Sequence, residues 1–317
     1  MFVINPDQFL LPTYRLCPFK TDYVASNSLL PDDDFAVSYF NNKFGEGNWL
    51  YTFNGREAIQ LALETYQLEP TDLVTILTTS QNFYISSCVT KTIEKFCRWN
   101  RELLPETKLI VVNHEFGFVH QQMEELVATG IPIIEDCCTT FFSQDSNNTI
   151  GKYGDFSTYS LTKFFPIQIG GILVNNKGIS KINTSSLNSQ QTQYIQNTIS
   201  NQLKNNQIQL DERKKNYDYL LELLSPLGFT ARFENTELTV PYVLVLKNNG
   251  VINDLNELKI FLTNNGIQSS VFYGEDAFFI PCHQNLEDLD LSYFSQVIQE
   301  IINRKSNECN PKLSSGL

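Results

Sequence analysis

Short apolar segments alternate with helix-forming segments between residues 54 and 175, and this alternation constrains the fold more than any other feature. Strands that alternate with helices form a mainly parallel sheet, because each connecting helix packs against a face of that sheet. We therefore predict an α/β fold, with a mainly parallel sheet in a large domain and a smaller α+β domain at the C-terminal end. The predicted strands are residues 73–78, 108–113, 131–136, 156–160 and 171–175, and the predicted helices are residues 55–66, 84–103 and 119–129.

The predicted domain boundary lies where this alternation ends. Residues 1–205 form the predicted large domain, and their last part, from residue 176, is polar and expected to be helical. Residues 206–307 contain three helical patterns separated by two short apolar runs, which predicts the small C-terminal domain. Residues 308–317 are expected to be a disordered tail.

Composition excludes several classes of protein. The net charge of −12 argues against a nucleic-acid-binding protein, which usually carries a basic patch. No apolar run reaches the roughly 18 residues of a membrane helix, and the first residues lack the basic and apolar parts of a signal peptide. Seven cysteines without a Cys-x-x-Cys pair and only three histidines make a metal site improbable and favour reduced thiols. We therefore expect a cytoplasmic protein without a metal.

One predicted strand ends in two adjacent carboxylates. The apolar run Ile131–Ile134 is followed directly by Glu135 and Asp136. In open α/β sheets, ligands bind beyond the carboxyl ends of the strands, so Asp136 is expected to face a crevice. An acidic pair after a strand is, taken alone, more often a helix cap or a solvated turn.

A lysine that follows this pair changes that balance. Lys163 lies between the apolar and aromatic runs 156–159 and 164–167, and Gly170–Gly171 follows it. A lysine is rarely buried without a partner, and its amine becomes nucleophilic where an apolar or cationic setting lowers its pKa. Enzymes that use pyridoxal 5′-phosphate (PLP) need both groups: a lysine that forms a Schiff base and a carboxylate at the pyridinium nitrogen.

At these residues the chain resembles the DegT/DnrJ/StrS family of sugar-nucleotide aminotransferases. The resemblance extends from about Asn54 to Asn175, and it is carried by the strand ending in Glu-Asp, by Gly154–Asp155 and by the block from Ser160 to Gly171. Lys163 lies seven residues before Gly170, as the family's Schiff-base lysine does before its own double glycine. The resemblance implies a PLP-dependent transferase of fold type I, which acts as a homodimer.

The resemblance also assigns site residues. Lys163 would form the Schiff base, Asp136 would keep the pyridine nitrogen protonated, and the Ser160 hydroxyl would bind the phosphate. The backbone of Gly55 and Arg56 would bind the same phosphate, because a helix N-terminus offers free N–H groups and a favourable dipole. An Asn-Gly pair before a helix is, by itself, usually only a cap.

Four further positions match family elements less specifically. Phe83 matches the aromatic residue that stacks on the cofactor ring, with a core role or Tyr84 as the alternatives. Thr139 stands where relatives carry Gln or His against that ring. His114 and His283 match elements that lie near the substrate in relatives, although a shaping role for His114 and a structural role for His283 stay open.

The chain departs from the family at two further points. The segment from Ser160 to Lys163 is two residues shorter than the commonest form, and no Gly-x-Asn-x-Arg loop follows Asn175. The resemblance nevertheless implies transfer of an amino group from glutamate to a keto sugar, most plausibly a nucleotide-linked 4-keto-6-deoxyhexose. Two alternatives remain: another PLP reaction such as sugar dehydration, against which Lys163 argues, and an inactive descendant that only binds.

Overall fold

The computed structural model describes residues 13–179 and 182–308, which divide into two compact units. The large unit combines residues 17–210 with the short segment Asn235–Tyr242, and the small unit contains the remaining described residues. The division therefore falls after Leu210, whereas the sequence places the boundary at residue 205. The predicted tail begins at residue 308, which ends the last helix, and residues 309–317 lie outside the described residues.

The large unit is a sheet with helices, as the alternating sequence pattern predicts. Every strand predicted before residue 176 is present. Its strands are β1 (Trp49–Thr52), β2 (Leu73–Thr78), β3 (Arg98–Asn100), β4 (Thr107–Asn113), β5 (Ile133–Asp136), β6 (Phe156–Ser160) and β7 (Gly171–Asn175). Its helices are α1 (Tyr23–Ser28), α2 (Phe35–Phe44), α3 (Gly55–Leu63), α4 (Ser87–Ile93), α5 (Met123–Ala128), α6 (Ser189–Leu203) and the first part of α7 (Asn206–Leu224).

The seven strands form one sheet in the order β1-β7-β6-β5-β4-β2-β3. Five neighbouring strands, β6, β5, β4, β2 and β3, are parallel to one another. Strand β7 pairs antiparallel with both β6 and β1. The sheet is thus mainly parallel, and this confirms the predicted fold class.

Helix α3 covers part of one face of this sheet. Asn54 caps it by accepting a hydrogen bond from the Glu57 backbone N–H at 3.0 Å. The buried residues that the helix presents to the core share helical spacing, so their side chains lie on one stripe against the sheet. They are Ala58, Ile59, Leu61, Ala62 and Leu63, which pack with Val74, Leu109, Ile134 and Leu173 of the strands.

Polar side chains gather at the carboxyl edge of the parallel strands. Asn113, the last residue of β4, pairs in register with Asp136, the last residue of β5, and Thr78 pairs in register with Asn113. The next strand, β6, ends at Ser160. This edge is where an open parallel sheet binds ligands.

The small unit has its own sheet and core. Four antiparallel strands follow the order β10-β11-β9-β8, and three helices, one of them the second part of α7, pack with them around buried Leu, Ile and Phe side chains. The strands are β8 (Thr230–Ala231), β9 (Val243–Lys247), β10 (Ser270–Val271) and β11 (Ala277–Pro281), and the helices after α7 are α8 (Leu255–Asn264) and α9 (Asp288–Glu308).

Three predicted helical segments are shorter than expected, and the one predicted for residues 119–129 is only α5 (Met123–Ala128). The helix predicted for residues 84–103 is only α4, because residues 98–100 instead extend the sheet by pairing in parallel with β2. In the polar stretch after β7, the helix begins only at Ser189, where the Asn188 and Gln191 side chains form a reciprocal capping box. Within the described ranges, no helix is long and apolar enough to cross a membrane.

Candidate active site

Asp136 lies buried at the end of β5, with 2 % of its surface exposed. One carboxylate oxygen accepts a hydrogen bond from the Asn113 amide at 2.7 Å, and the other accepts from the Cys138 backbone N–H at 3.1 Å. A carboxylate has about four acceptor positions, so two remain. Asp136 is therefore held in a fixed orientation and can still accept a hydrogen bond from a ligand.

Lys163 lies in a single 3₁₀ turn, Leu161–Lys163, that follows β6. Its amine lies 3.5 Å from the Tyr242 hydroxyl and 5.1 Å from the centre of the Tyr242 ring. Attraction to Tyr242 raises the pKa of Lys163, although burial alone would lower it. The apolar surroundings therefore do not lower the pKa of Lys163 in this structure, because the hydroxyl partner outweighs them.

Cys138 lies near both of these residues, and no sequence motif singles it out. Burial raises the pKa of its thiol, the Asp136 carboxylate raises it further, and the Lys163 amine opposes this by lowering it. The Cys138 thiol therefore lies in the electrostatic range of both charged groups. Asp136 and Lys163 are separated by 27 positions in the sequence, and the fold brings them to the same site.

The first turn of α3 lies against the same thiol. A methyl group added at Gly55 would lie 2.6 Å from the Cys138 sulfur and 3.4 Å from Cβ of Ser160. Gly55 is thus packed against the carboxyl ends of β5 and β6, where no larger side chain fits. Asp136, Lys163, Ser160 and the start of α3 form one site.

Two backbone N–H groups at the start of α3 remain available for an anion. Among the described residues, neither the Gly55 nor the Arg56 N–H has a hydrogen-bond partner, whereas the Glu57 N–H already donates to the Asn54 side chain. Gly55 and Arg56 fit the predicted phosphate-binding turn, and Glu57 supplies no free donor to it. The Ser160 hydroxyl lies 3.1 Å from the Thr162 hydroxyl and can donate to an anion instead.

Thr139 stabilises the neighbouring turn with its hydroxyl. This group donates to the His114 carbonyl at 2.8 Å and accepts from the Phe116 N–H at 2.9 Å. Its single proton is therefore engaged with the protein backbone. A hydroxyl held in this way can offer a cofactor ring only a weak acceptor contact.

His114 is fully buried, and both of its ring nitrogens are engaged. Nδ1 accepts from the His120 N–H at 3.0 Å, so the ring proton must be on Nε2, which donates to the Glu135 carboxylate at 3.2 Å. His114 therefore has no free ring nitrogen for a substrate. Substrate contact by His114 stays a prediction, and these hydrogen bonds favour the alternative, a shaping role.

Glu135 and Cys137 complete this buried network. The Glu135 carboxylate also accepts hydrogen bonds from the backbone N–H groups of Gly151 and Gly154, at 2.9 and 2.8 Å. Burial raises the pKa of the Cys137 thiol well above its usual value. His114, Glu135 and Cys137 lie within 4.8 Å of one another, but their hydrogen bonds and the protonated thiol leave no ready set of metal ligands.

The two remaining predicted contacts have different surroundings. Phe83 is 75 % exposed in the turn after β2, and its neighbour Tyr84 packs its ring 6.0 Å from that of Phe116. His283 belongs to the small unit, where it is buried and its Nδ1 accepts from the Asn285 N–H at 3.2 Å. Stacking by Phe83 and substrate contact by His283 stay predictions, and the burial of His283 favours its structural alternative.

Tyr242 was not predicted, and its position depends on a glycine turn after β4. The Tyr242 N–H donates to the Phe116 carbonyl at 2.8 Å. The next residue, Gly117, has φ of 104°, and a methyl group there would lie 2.4 Å from the Val240 carbonyl oxygen. The segment Asn235–Tyr242 can thus cross directly over this turn only because residue 117 is glycine.

Comparison with known proteins supports the predicted family and fold. Residues 99–198 match the family model described as the DegT/DnrJ/EryC1/StrS aminotransferase family. This region contains Asp136, Ser160, Lys163 and the double glycine. The match covers 100 of the 317 residues and supports the family that the sequence resembles. Comparison with curated proteins gives no match.

Solved structures of aminotransferases share the fold at low sequence identity. The aminotransferase TlmJ from Streptoalloteichus hindustanus is 17 % identical, with 89 % of this chain and 94 % of that chain covered and a TM-score of 0.70. The PMP-form of Spr1654 from Streptococcus pneumoniae, described as a sugar aminotransferase, is 14 % identical, with 91 % and 97 % covered and a TM-score of 0.71. DesV from S. venezuelae, in complex with a ketimine intermediate, is 15 % identical, with 89 % and 94 % covered and a TM-score of 0.66.

These structures confirm the predicted fold type I. Spr1654 is known in both a PLP-form and a PMP-form. The donor set of the present chain fits PLP: an amine at Lys163, an oriented carboxylate at Asp136, and free N–H groups and a hydroxyl at Gly55, Arg56 and Ser160. Family and site agree on a PLP-dependent aminotransferase.

We predict that Gly117→Ala destabilises the protein more than Gly130→Ala. Both glycines have positive φ, so alanine costs about 1–2 kcal/mol of backbone strain at either position. Only at Gly117 does the added methyl group also collide with neighbouring backbone, whereas Gly130 has open space around it. Urea unfolding should show an additional loss of about 1–3 kcal/mol for Gly117→Ala. Equal losses of unfolding free energy in the two variants would show that the segment Asn235–Tyr242 moves aside without cost.

Proposed function

We propose that this member of the DegT/DnrJ/EryC1/StrS aminotransferase family transfers an amino group from glutamate to a nucleotide-linked 4-keto-6-deoxyhexose in the cytoplasm. The observation that carries the proposal is the convergence of Lys163, Asp136 and the start of α3 on the Cys138 thiol. These are the groups that hold the reactive carbon, the ring nitrogen and the phosphate of PLP. The sugar-aminotransferase description of Spr1654 supports the acceptor class.

PLP, when bound, supplies an electron sink that stabilises a carbanion next to the transferred nitrogen. Asp136 would hold a proton on the ring nitrogen, since its buried carboxylate keeps two acceptor positions after binding Asn113 and the Cys138 N–H. A charge-assisted hydrogen bond of this kind is stronger than a neutral one. The oriented carboxylate thereby determines how well the ring accepts electrons.

Lys163 has two duties at one atom. Its Nζ would bond to the cofactor at rest, and after release it would move protons between positions on the bound substrate as a general base and acid. The turn Leu161–Lys163 fixes the base of the side chain directly after β6. Lys163 has no carboxylate partner among the described residues, so its amine is free to change between the two duties.

The anion site would hold the cofactor phosphate away from the reacting nitrogen. The free N–H groups of Gly55 and Arg56 lie at the positive end of α3, and the Ser160 hydroxyl lies beside Gly55. These three donors would together bind and orient the phosphate. Both ends of the cofactor are then fixed by one subunit's residues.

The alternatives make different demands on the same residues. Sugar-dehydrating relatives carry histidine in place of the lysine, and this chain has Lys163. An inactive descendant would tolerate the loss of either charged group, so the buried, hydrogen-bonded geometry of Asp136 favours an enzyme. A visible absorption band that disappears when glutamate is added separates the enzyme from a protein that only binds.

The first test concerns Lys163. Borohydride reduction of the holoprotein should fix the cofactor to a peptide that contains residues 161–165, as read by mass spectrometry. Lys43 is the informative rival, because burial lowers its pKa to about 8 and makes its amine the more available at neutral pH. Labelling at Lys43 would contradict the assignment. Lys163→Ala should retain the fold, because no ion pair is lost, and should abolish transamination.

A second test concerns Asp136. Asp136→Asn should keep the shape of the site and slow transamination about 100-fold or more, the size of effect that loss of one preorganised charge produces. Asp136→Ala should also weaken cofactor binding, by about 1.5–3 kcal/mol. Asp145→Asn is the control, because that carboxylate binds Thr149 and Tyr153 instead. Near-normal turnover in Asp136→Asn would mean that another group supports the ring.

We also propose that the protein is a homodimer, the commonest closed assembly of soluble proteins. Large apolar side chains on the surface of the large unit, Leu29 at 83 % and Phe83 at 75 % exposure, support the proposal because an interface would cover such groups. Light scattering at micromolar concentration should give about twice the chain mass of 36.3 kDa. An active monomer would instead show that one chain supplies the whole site.

A further inference from the structure

The Lys163 amine has an unusual environment for a partly buried cation. Within the described part of the chain, no carboxylate lies within ion-pair distance of it, and the Tyr242 hydroxyl is its hydrogen-bond partner. The oxygen lies 3.5 Å from Nζ, at the outer limit of a hydrogen bond, and the ring centre lies 5.1 Å away. Ring and hydroxyl together take the place of a counter-ion.

Tyr242 is held in place independently of Lys163. Its side chain is 5 % exposed, and its ring lies 6.2 Å from that of Phe164, the residue after the lysine. Two residues earlier, Val240 donates its N–H to the Ser143 hydroxyl at 2.9 Å, and its carbonyl accepts from the same hydroxyl. The segment is thus fixed by the large unit at both Val240 and Tyr242, so the hydroxyl presents a preformed partner to the amine.

We propose that Tyr242 is a further catalytic residue, whose hydroxyl holds the Lys163 amine whenever that amine is not bonded to the cofactor. The contact is an observation about this chain, and its catalytic meaning rests on the function proposed above. A lysine that must be released and then act on the substrate has four rotatable side-chain bonds. Without a fixed partner its amine would spend much of the time away from the reacting atoms.

Tyr242 also influences which form of the amine is present. An ammonium donates to the hydroxyl and lies over the negative face of the ring, so both contacts favour the charged form. The other groups that act on the amine are the Cys138 and Cys17 thiols, which raise its pKa as Tyr242 does, and burial, which lowers it. Removing the hydroxyl therefore lowers the pKa of Lys163 and increases its neutral, nucleophilic fraction at neutral pH.

The test compares the full chain with Tyr242→Phe after removal of the cofactor. Competitive labelling with isotopic acetic anhydride across pH, read on the peptide containing residues 161–165, gives the pH midpoint of Lys163. We expect the midpoint to fall in Tyr242→Phe, with labelling at neutral pH rising about tenfold for each unit. The phenylalanine keeps the ring and its packing, so the shift reports the hydroxyl alone.

Tyr51→Phe is the matched control, because it also removes a buried tyrosine hydroxyl from the large unit. Among the described residues, that hydroxyl has no hydrogen-bond partner. Its loss should leave the Lys163 midpoint unchanged. An equal shift in both variants, or no shift in Tyr242→Phe, would overturn the contact as the cause.

The holoenzyme provides the second readout. In Tyr242→Phe, we expect kcat to fall and its pH profile to move in the direction of the labelling midpoint, with little change in the KM for glutamate. An unchanged kcat with a shifted midpoint would show that Tyr242 is not catalytic. If neither the wild-type protein nor any variant transaminates, the proposed function fails. If the wild type is active but the Lys163 midpoint does not shift in Tyr242→Phe, only the role of Tyr242 is refuted.

Discussion

The site depends on one buried carboxylate that takes no part in the chemistry. Glu135 accepts hydrogen bonds from the Gly151 and Gly154 N–H groups and from His114, and none of its surface is exposed. A buried carboxylate without such donors would be strongly destabilising. Because successive side chains of a strand point to opposite sides, anchoring Glu135 in this network directs Asp136 towards the ligand side of the sheet edge.

From this carboxylate, contacts continue to the reactive amine. His114 is oriented by Glu135, its carbonyl accepts from Thr139, and Thr139 in turn accepts from the Phe116 N–H. The Phe116 carbonyl then receives the Tyr242 N–H, and the Tyr242 hydroxyl meets Lys163. His114, Thr139 and Phe116 thus stabilise the partner of Lys163. The position at Thr139, which departs from the family, has a defined task in this arrangement.

Sequence predicted the strands, Asp136, Ser160 and Lys163, because strand ends and motif spacing are local signals. Tyr242 could not be predicted, since it lies 79 positions after Lys163 in a segment without a motif, and only the fold brings the two together. The raised pKa of Lys163 could not be predicted for the same reason, because Tyr242 is its main cause. Lys43 shows the contrasting case: it is half-buried beside the Phe44 and Phe141 rings without a hydroxyl partner among the described residues, and burial lowers its pKa to about 8.

The central claim is that Lys163, Asp136 and the start of α3 form one PLP site. A crystal structure of the protein with PLP tests it most directly. Continuous electron density from Lys163 Nζ to the cofactor is expected, with the ring nitrogen at hydrogen-bond distance from the Asp136 carboxylate and the phosphate at the Gly55 and Arg56 N–H groups. A phosphate bound elsewhere, or a ring nitrogen that faces away from Asp136, would contradict the account.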